Sequence, residues 1–231
     1  MNERQPFFSV IVPEHNSAAF MRKGLDSIRE QTFTDYELII VCDKCNTDIE
    51  AEIAYEYADT LLITSFGSAG GARNAGLNAA TGEWILFMDD DDHWIGENAF
   101  QTIYDAINRY KELSQPIDIL AFWFEWKGMG IGKQSASRVY PAVWNKAWRR
   151  NYIGRTRFPN WKHTEDLCFA KMLHPHAAFG FLNNPLYYYN FMREGSLSDR
   201  IKKGEMDNEG IDESCKNAAI GYEKWLKGRE F

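Results

Sequence analysis

Apolar positions in the first third of this chain fall into short unbroken runs separated by spaced, amphipathic stretches. Phe7-Phe8-Ser9-Val10-Ile11-Val12 is a β-branched run stopped by Pro13, and it predicts a first strand. Ser17 stands where a cap is expected for a helix with Phe20, Met21, Leu25 and Ile28 on its inner face. Residues 36–42 (YELIIVC) predict a second strand closed by Asp43-Lys44, and Thr47-Asp48 opens a helix to about Tyr57. Leu61-Leu62-Ile63 is a short third strand. Residues 67–71 form a small-residue turn, 72–80 a helix ended by Thr81-Gly82, and 83–88 a fourth strand. Alternation of this kind indicates a parallel sheet covered by helices.

The pattern loosens beyond Asp92. Residues 97–113 predict a helix with the stripe Phe100, Ile103, Tyr104 and Ile107, ended by Pro116, and 117–126 a hydrophobic strand. Residues 127–134 carry three glycines and predict a flexible turn or lid. Tyr140, Trp144, Lys146, Trp148, Arg149, Arg150 and Tyr152 then crowd together. Thr164 is placed to cap a helix begun by Glu165-Asp166, residues 186–191 predict a last strand, and the polar tail from Asp199 holds a helical stretch over 211–226. There is no internal repeat and no clear second domain.

The most informative junction is where the apolar run Trp84-Ile85-Leu86-Phe87-Met88 meets Asp89, Asp90, Asp91 and Asp92. Four carboxylates at the end of a buried strand raise one another's pKa or demand a cation. Mg²⁺ and similar hard ions take one or two carboxylates plus substrate phosphates. Open α/β sheets bind ligands at the carboxyl ends of their strands, and Pro13-Glu14-His15-Asn16 and Asp43 end the first and second strands on the same edge. Residues 67–74 (GSAGGARN) let backbone approach an anion at a helix start, with Arg73 as a fixed positive charge. They match neither a P-loop nor the dinucleotide fingerprint. One carboxylate of Glu165-Asp166 is expected to face a cleft, since neighbouring helical residues diverge by about 100°, and there it serves as a general base.

Composition narrows the partners. The 231 residues carry a net charge of −7, with 45% hydrophobic and 15% aromatic content. That suits a well-cored α/β domain and argues against a nucleic-acid binder. An acidic chain handling a nucleotide needs a metal against phosphate repulsion. Cys42 and Cys45 form a C-x-x-C with no second pair at zinc spacing, and Cys168 and Cys215 add no disulfide framework, as in a reducing cytosol. The N-terminus lacks a signal-peptide layout, and no run reaches the roughly 20 apolar residues of a membrane span. A cytoplasmic protein is expected, compatible with peripheral contact at the inner face of the cell membrane.

Six segments in order, SVIVPEHN, DSIREQTFTDYELIIVCD, GGARNAGLNAATGEWILFMDDDDHW, VWNKAWRR, TEDLCF and PLYYYNFMREGSLS, resemble the family-2 inverting glycosyltransferases. The resemblance implies a Rossmann-like, mostly parallel α/β sheet flanked by helices (the A-type glycosyltransferase fold), with a smaller acceptor-side region. It implies one domain: about 7–95 as the nucleotide-sugar half, 96–198 as the acceptor half and 199–231 as a helical tail. It further implies a nucleotide-sugar donor, usually a UDP-sugar, a glycan or lipid-linked acceptor, and Mn²⁺ or Mg²⁺. Pro13, Glu14, Asn16 and Asp43 would hold the nucleoside, with Asp43 at the base, and Arg73 would fix the nucleotide. Asp89-x-Asp91 matches the D-x-D pattern. Asp89, with Asp90, would face the ribose or metal shell, and Asp91 and Asp92 would serve the metal. Asp166 would deprotonate the acceptor with Glu165 beside it, and Trp144, Lys146 and Trp148 would shape the acceptor side, as would Trp161. Glu14-His15, Cys42 and Lys44 depart from the family's usual residues and loosen the nucleotide assignment. His163, His174 and His176 are equal candidates for a further metal ligand. Two other readings compete: an aspartate-nucleophile phosphatase, and an inactive nucleotide-sugar-binding or interaction protein.

Overall fold

The structure, a computed structural model, describes residues 5–44, 48–161 and 164–194 together with Ser196, Asp199 and Lys203. In chain order the elements are β1 (Phe8–Glu14), α1 (Ala18–Arg29), β2 (Tyr36–Asp43), α2 (Asp48–Tyr57), β3 (Thr60–Thr64), α3 (Ala69–Ala79), β4 (Trp84–Phe87), β5 (His93–Trp94), α4 (Ala99–Glu112), β6 (Ile119–Trp126), β7 (Gly130–Gly132), β8 (Lys146–Arg149), α5 (Arg150–Ile153), α6 (Glu165–Leu173) and β9 (Phe179–Tyr189). The strands make one sheet in the order β3-β2-β1-β4-β8-β6-β9-β5, with β7 paired to β6.

Strands β1 to β4 pair in parallel, Ile11 lying opposite both Ile39 and Phe87. Beyond β4 the sheet is mixed. β8 runs antiparallel to both β4 and β6, β9 is parallel to β6, and β5 is antiparallel to β9. The unbroken apolar runs have a direct cause. Phe8, Val10 and Val12 of β1, with Leu38 and Ile40 of β2 and Trp84 and Leu86 of β4, face one core, together with Met21, Leu25 and Ile28 of α1. The alternate residues Ile11, Ile39, Val41, Ile85 and Phe87 face the other, with Leu77 of α3 and Phe169 of α6. A parallel sheet covered on both sides has no solvent face, so its strands carry no polar alternation.

The chain leaves β1 toward β2 on one side and returns from β3 to β4 on the other. The order therefore reverses between β1 and β4, which puts the ligand crevice of such sheets beside Asp89 and Asp90. Gly24 explains why α1 packs so close: a Cβ there would stand 2.6 Å from the Asp92 carbonyl oxygen.

Several expectations change. The glycine-rich stretch is a hairpin: Trp126 pairs with Gly130 and Phe124 with Gly132. The last strand begins seven residues earlier than its apolar core suggests, with register shifts around Trp123. β5, β8 and α5 carried no recognisable sequence signal. Neither expected cap operates. Ser17 donates its hydroxyl to Glu14 Oε1 at 3.3 Å, and Thr164, in the left-handed region at φ 60°, makes no capping bond. Helix α3 starts three residues early because Ser68 caps it, accepting the Gly71 N–H at 3.1 Å. Cys42 is buried in β2, whereas Cys45, Cys215, His163 and the tail helix over 211–226 lie outside the described residues.

Candidate active site

A cleft of about 640 Å³ opens at the carboxyl ends of β1, β2 and β4, a size suited to small-molecule ligands. Pro13, Glu14, His15 and Asn16 form its edge after β1. His15 ties three segments together. Its backbone N–H donates to Asp90 Oδ2 at 2.9 Å, its Nδ1 lies 2.7 Å from the Asp43 carbonyl oxygen, and its Nε2 lies 3.0 Å from Asn16 Nδ2. Glu14 is buried, with Oε1 accepting the Ser17 N–H at 3.1 Å.

Asp43 builds the wall that leads into α3. Its Oδ1 accepts from Thr64 Oγ1 at 2.9 Å and Phe66 N–H at 2.6 Å; Oδ2 accepts from Gly67 N–H at 2.7 Å and Ser68 N–H at 3.1 Å. Four donors occupy the roughly four acceptor sites of a carboxylate, so Asp43 reaches a ligand only by releasing one of them. The loop it holds presents Gly67, Ser68 and Ala69 to the cleft at the start of α3, where partial positive charge favours an anion. Gly70 must be small there, since a Cβ would stand 2.7 Å from the Pro159 carbonyl oxygen and 3.1 Å from Glu165 Cγ.

Arg73 is the centre of the charged wall. It is buried and spans two carboxylates, Nη2 to Asp89 Oδ1 and Nη1 to Glu165 Oε1, both at 2.7 Å. Burial opposes its charge, but Asp89, Glu165 and Asp166 outweigh burial and raise its pKa. The helix start thus separates its two acids. Both line the cleft, but Glu165 is bound to Arg73, while Asp166 accepts the Leu167 N–H at 2.7 Å. Burial first, then the charge of Glu165, lift Asp166 to about 6, and Arg73 resists.

The tetra-acidic run divides three to one. Asp89, Asp90 and Asp91 line the cleft. Burial and the charge of Asp91 lift Asp90 to about 8. Burial also raises Asp91, against the opposing pull of the Arg193 guanidinium, whose Nε lies 2.5 Å from Asp91 Oδ2. Asp92 departs from its expected place at the metal. It is 1% exposed, accepting the Tyr187 hydroxyl at 2.8 Å and the Asn190 N–H at 2.8 Å. The same hydroxyl accepts the Asp89 N–H at 3.0 Å, so Asp92 and Tyr187 lock β9 onto the acidic loop.

Among the described residues seven carboxyl groups line the cleft (Glu14, Asp43, Asp89, Asp90, Asp91, Glu165 and Asp166) against two guanidinium groups, Arg73 and Arg193. Among the described residues no three acid, histidine or cysteine side chains form a ready cation cage. The donor set is instead an excess of hard carboxylate oxygens at an open cleft. That chemistry fits a Mg²⁺-like ion that completes its shell with substrate phosphate and water. His174 is not available to it: it stacks on Trp148 at 5.6 Å, and burial drives it to about 3. His176 lies in the 3-10 turn His174–His176 after α6.

The acceptor-side trio also divides. Trp144 borders the cleft, with its ring stacked on Tyr187 at 4.9 Å. Lys146 and Trp148 are fully buried, because β8 places both in the sheet. Lys146 Nζ donates to the carbonyl oxygens of Tyr140 at 2.5 Å and Ala142 at 2.6 Å and to Asn145 Oδ1 at 2.7 Å. Trp148 Nε1 donates to the Val143 carbonyl oxygen at 2.9 Å. Trp161 packs against the core on the α3 side of the sheet. Lys146→Met should therefore lower stability by about 2–4 kcal/mol through acceptors left unsatisfied, in urea unfolding. A loss confined to acceptor KM at wild-type stability would contradict this role. Residues that sequence reasoning missed are Tyr187 and Arg193, which lie in the segment PLYYYNFMREGSLS, where only the tertiary contacts single them out.

Residues 9–174 match the family model described as glycosyl transferase family 2. The poly(ribitol-phosphate) β-N-acetylglucosaminyltransferase TarS of Staphylococcus aureus (strain Mu50) is 39% identical over 213 residues, covering 81% of this chain and 36% of its own. The crystal structure of S. aureus TarS 1-349 in complex with UDP-GlcNAc superposes with a TM-score of 0.72 at 24% identity, covering 83% of this chain and 60% of that one. The mannosyltransferase PcManGT from Pyrobaculum calidifontis, in complex with GDP-Man and Mn²⁺, superposes with a TM-score of 0.66 at 19% identity over 92% of this chain and 65% of that one. These two likenesses establish the fold. The chain spans between 31% and 64% of the length of the curated relatives it matches first.

Proposed function

We propose that the chain, which belongs to glycosyl transferase family 2, moves a sugar from a UDP-sugar to a hydroxyl of a glycan or lipid-linked acceptor with inversion at the anomeric carbon. One observation carries the reading. Arg73 ties up Glu165 and Asp89 and so leaves Asp166 as the carboxylate of that helix start placed to take a proton, in the same cleft as the acidic loop.

The nucleotide lies along the β1 and β2 ends, between Pro13, Glu14, Asn16 and the loop held by Asp43, with its phosphates toward the start of α3. Arg73 orients Asp89 and neutralises part of the acidic wall, and Asp90 is fixed by His15. Asp91, with Asp89 or Asp90, would hold Mn²⁺ or Mg²⁺, which when bound would supply positive charge against a departing diphosphate. An acceptor hydroxyl is a poor nucleophile until a base in line with the anomeric carbon takes its proton. Asp166 is that base, and Trp144 borders the acceptor. The reading places the nucleotide half over 7–95 and the acceptor half over 96–198 of one domain. The name of the TarS relative supports a polyol-phosphate polymer, of the poly(ribitol-phosphate) kind, as acceptor. Among the described residues no helix is long and apolar enough to cross a membrane.

The test is a thermal-shift panel of UDP-, GDP- and dTDP-sugars with and without Mn²⁺, followed by NMR of the product. A ligand at 100 times its Kd adds about 2.7 kcal/mol of stability, so the preferred donor should stand out. The expected result is selective stabilisation by one UDP-sugar with Mn²⁺, and a β-linked product from the α-linked donor. A GDP preference would displace the uridine assignment, and an α-linked product would end the single-base mechanism.

A further inference from the structure

We propose that Arg193 occupies the cation position on Asp91 in the free protein, so that a divalent ion binds there weakly until a nucleotide diphosphate binds with it. The inference rests on the reading of Asp91 as a metal ligand and adds an order of binding to it.

The three cleft-facing acids of the loop have different partners. Asp89 is held by Arg73, a residue in the helical wall that is bonded at both ends and 5% exposed. Asp90 is held by a backbone N–H. Asp91 is held by Arg193, whose seat is of another kind. Arg193 follows β9 at the cleft rim, its guanidinium lies 4.7 Å from the ring centroid of Phe20, and its Nη1 reaches the Glu194 carbonyl oxygen only at 3.3 Å. Phe20 is itself 39% exposed on α1. Met192, just before it, sits at φ 56°, a left-handed conformation that costs a residue with a side chain. Among the described residues, the guanidinium has besides Asp91 only a surface ring and a long hydrogen bond, while the backbone of Arg193 is tied to Asn190 at 3.2 Å and Ser196 at 2.9 Å.

Arg193 and a metal ion compete for the same charge. A divalent ion must approach a carboxylate oxygen to about 2.0–2.2 Å, and Asp91 Oδ2 already accepts a short guanidinium bond. Two cations on one carboxylate repel, so occupation by one weakens the other. Where the binding-competent state is only a fraction of the population, apparent affinity falls by that fraction. A nucleotide diphosphate brings extra oxygen ligands for the metal and so tips the competition.

The test is Mn²⁺ titration of the full chain, read from the electron paramagnetic resonance signal of free Mn²⁺, with and without UDP. Arg193→Ala should bind Mn²⁺ about tenfold more tightly than wild type in the absence of UDP. UDP should narrow the gap. Arg193→Lys keeps the charge and should stay near wild type. Phe20→Ala removes the surface seat without touching the acids and should shift affinity in the same direction as Arg193→Ala, by less, which keeps the test open if Arg193→Ala folds poorly. Unchanged or weaker Mn²⁺ binding in both alanine variants without UDP overturns the inference alone, provided wild type binds Mn²⁺ with UDP. Absence of Mn²⁺ binding in every variant, even with UDP, removes the metal reading of Asp91 and the inference with it.

Discussion

Asp166→Asn should lower kcat by about 10²–10⁴ while leaving donor binding close to wild type, since general base catalysis contributes that much and the substitution preserves size. The donor contacts assigned to the Asp43 loop and α3 lie on other elements. Wild-type kcat should also show an acidic limb. Asp166 accepts a proton only when ionised, and burial with the charge of Glu165 holds it at about 6. Activity therefore rises with pH through about 6 and falls tenfold per unit below it. Glu165→Gln removes one of the raising causes and should move the limb to lower pH. Stability runs the other way. The folded pKa lies above the unfolded value of about 4, so the contribution of Asp166 is fully present below about 4 and is lost as pH rises through about 6. The readouts are pH-resolved initial rates and the Kd for UDP. Near-normal transfer in Asp166→Asn, or a limb that Glu165→Gln does not move, would place the base elsewhere.

Arg73→Met should be the most damaging single change to the fold around the cleft. It leaves Glu165, whose side chain is 9% exposed, without its cation, and Asp89, 27% exposed, without its partner. Removing one member of a buried ion group costs about 3–5 kcal/mol, chiefly because the remaining charge is buried unpaired, a large share of a total of about 5–15 kcal/mol. For a chain of this size that lowers Tm by roughly 10 °C. Arg73→Lys should rescue little, since an ammonium presents no planar fork to bridge two carboxylates. Pairing Arg73→Met with Glu165→Gln should recover part of the loss, because the uncompensated charge goes with its partner. Equilibrium unfolding of the four proteins gives the coupling directly. Additive losses in that cycle, or wild-type stability in Arg73→Met, would mean the three groups do not act as a unit.

The parallel half was legible because its inner strands β1, β2 and β4 are buried on both faces, which writes continuous apolar runs such as 36–42 and 84–88 into the sequence. The antiparallel half was not. β8 carries Lys146 and Arg149 among its four residues, and its place between β4 and β6 depends on pairing partners more than twenty residues away. Lys146 reads as a surface cation by type, and only the converging carbonyl oxygens of Tyr140 and Ala142 make it a core residue.

The chain by itself determined where the charged groups stand: acids at the ends of β1, β2 and β4, a helix start with a fixed arginine, and a second acidic helix start. Such signals are local, a few residues of periodicity followed by a charge. Tertiary structure decided which partner each of several like carboxyl groups meets. Asp92 turns inward to Tyr187 and Asn190 while Asp91 meets Arg193; Glu165 is bound to Arg73 while Asp166 is not held by it. These partners lie 92 to 102 residues apart in the chain. What a carboxylate does is set by its burial and its nearest cation, and neither is a property of its own stretch of sequence.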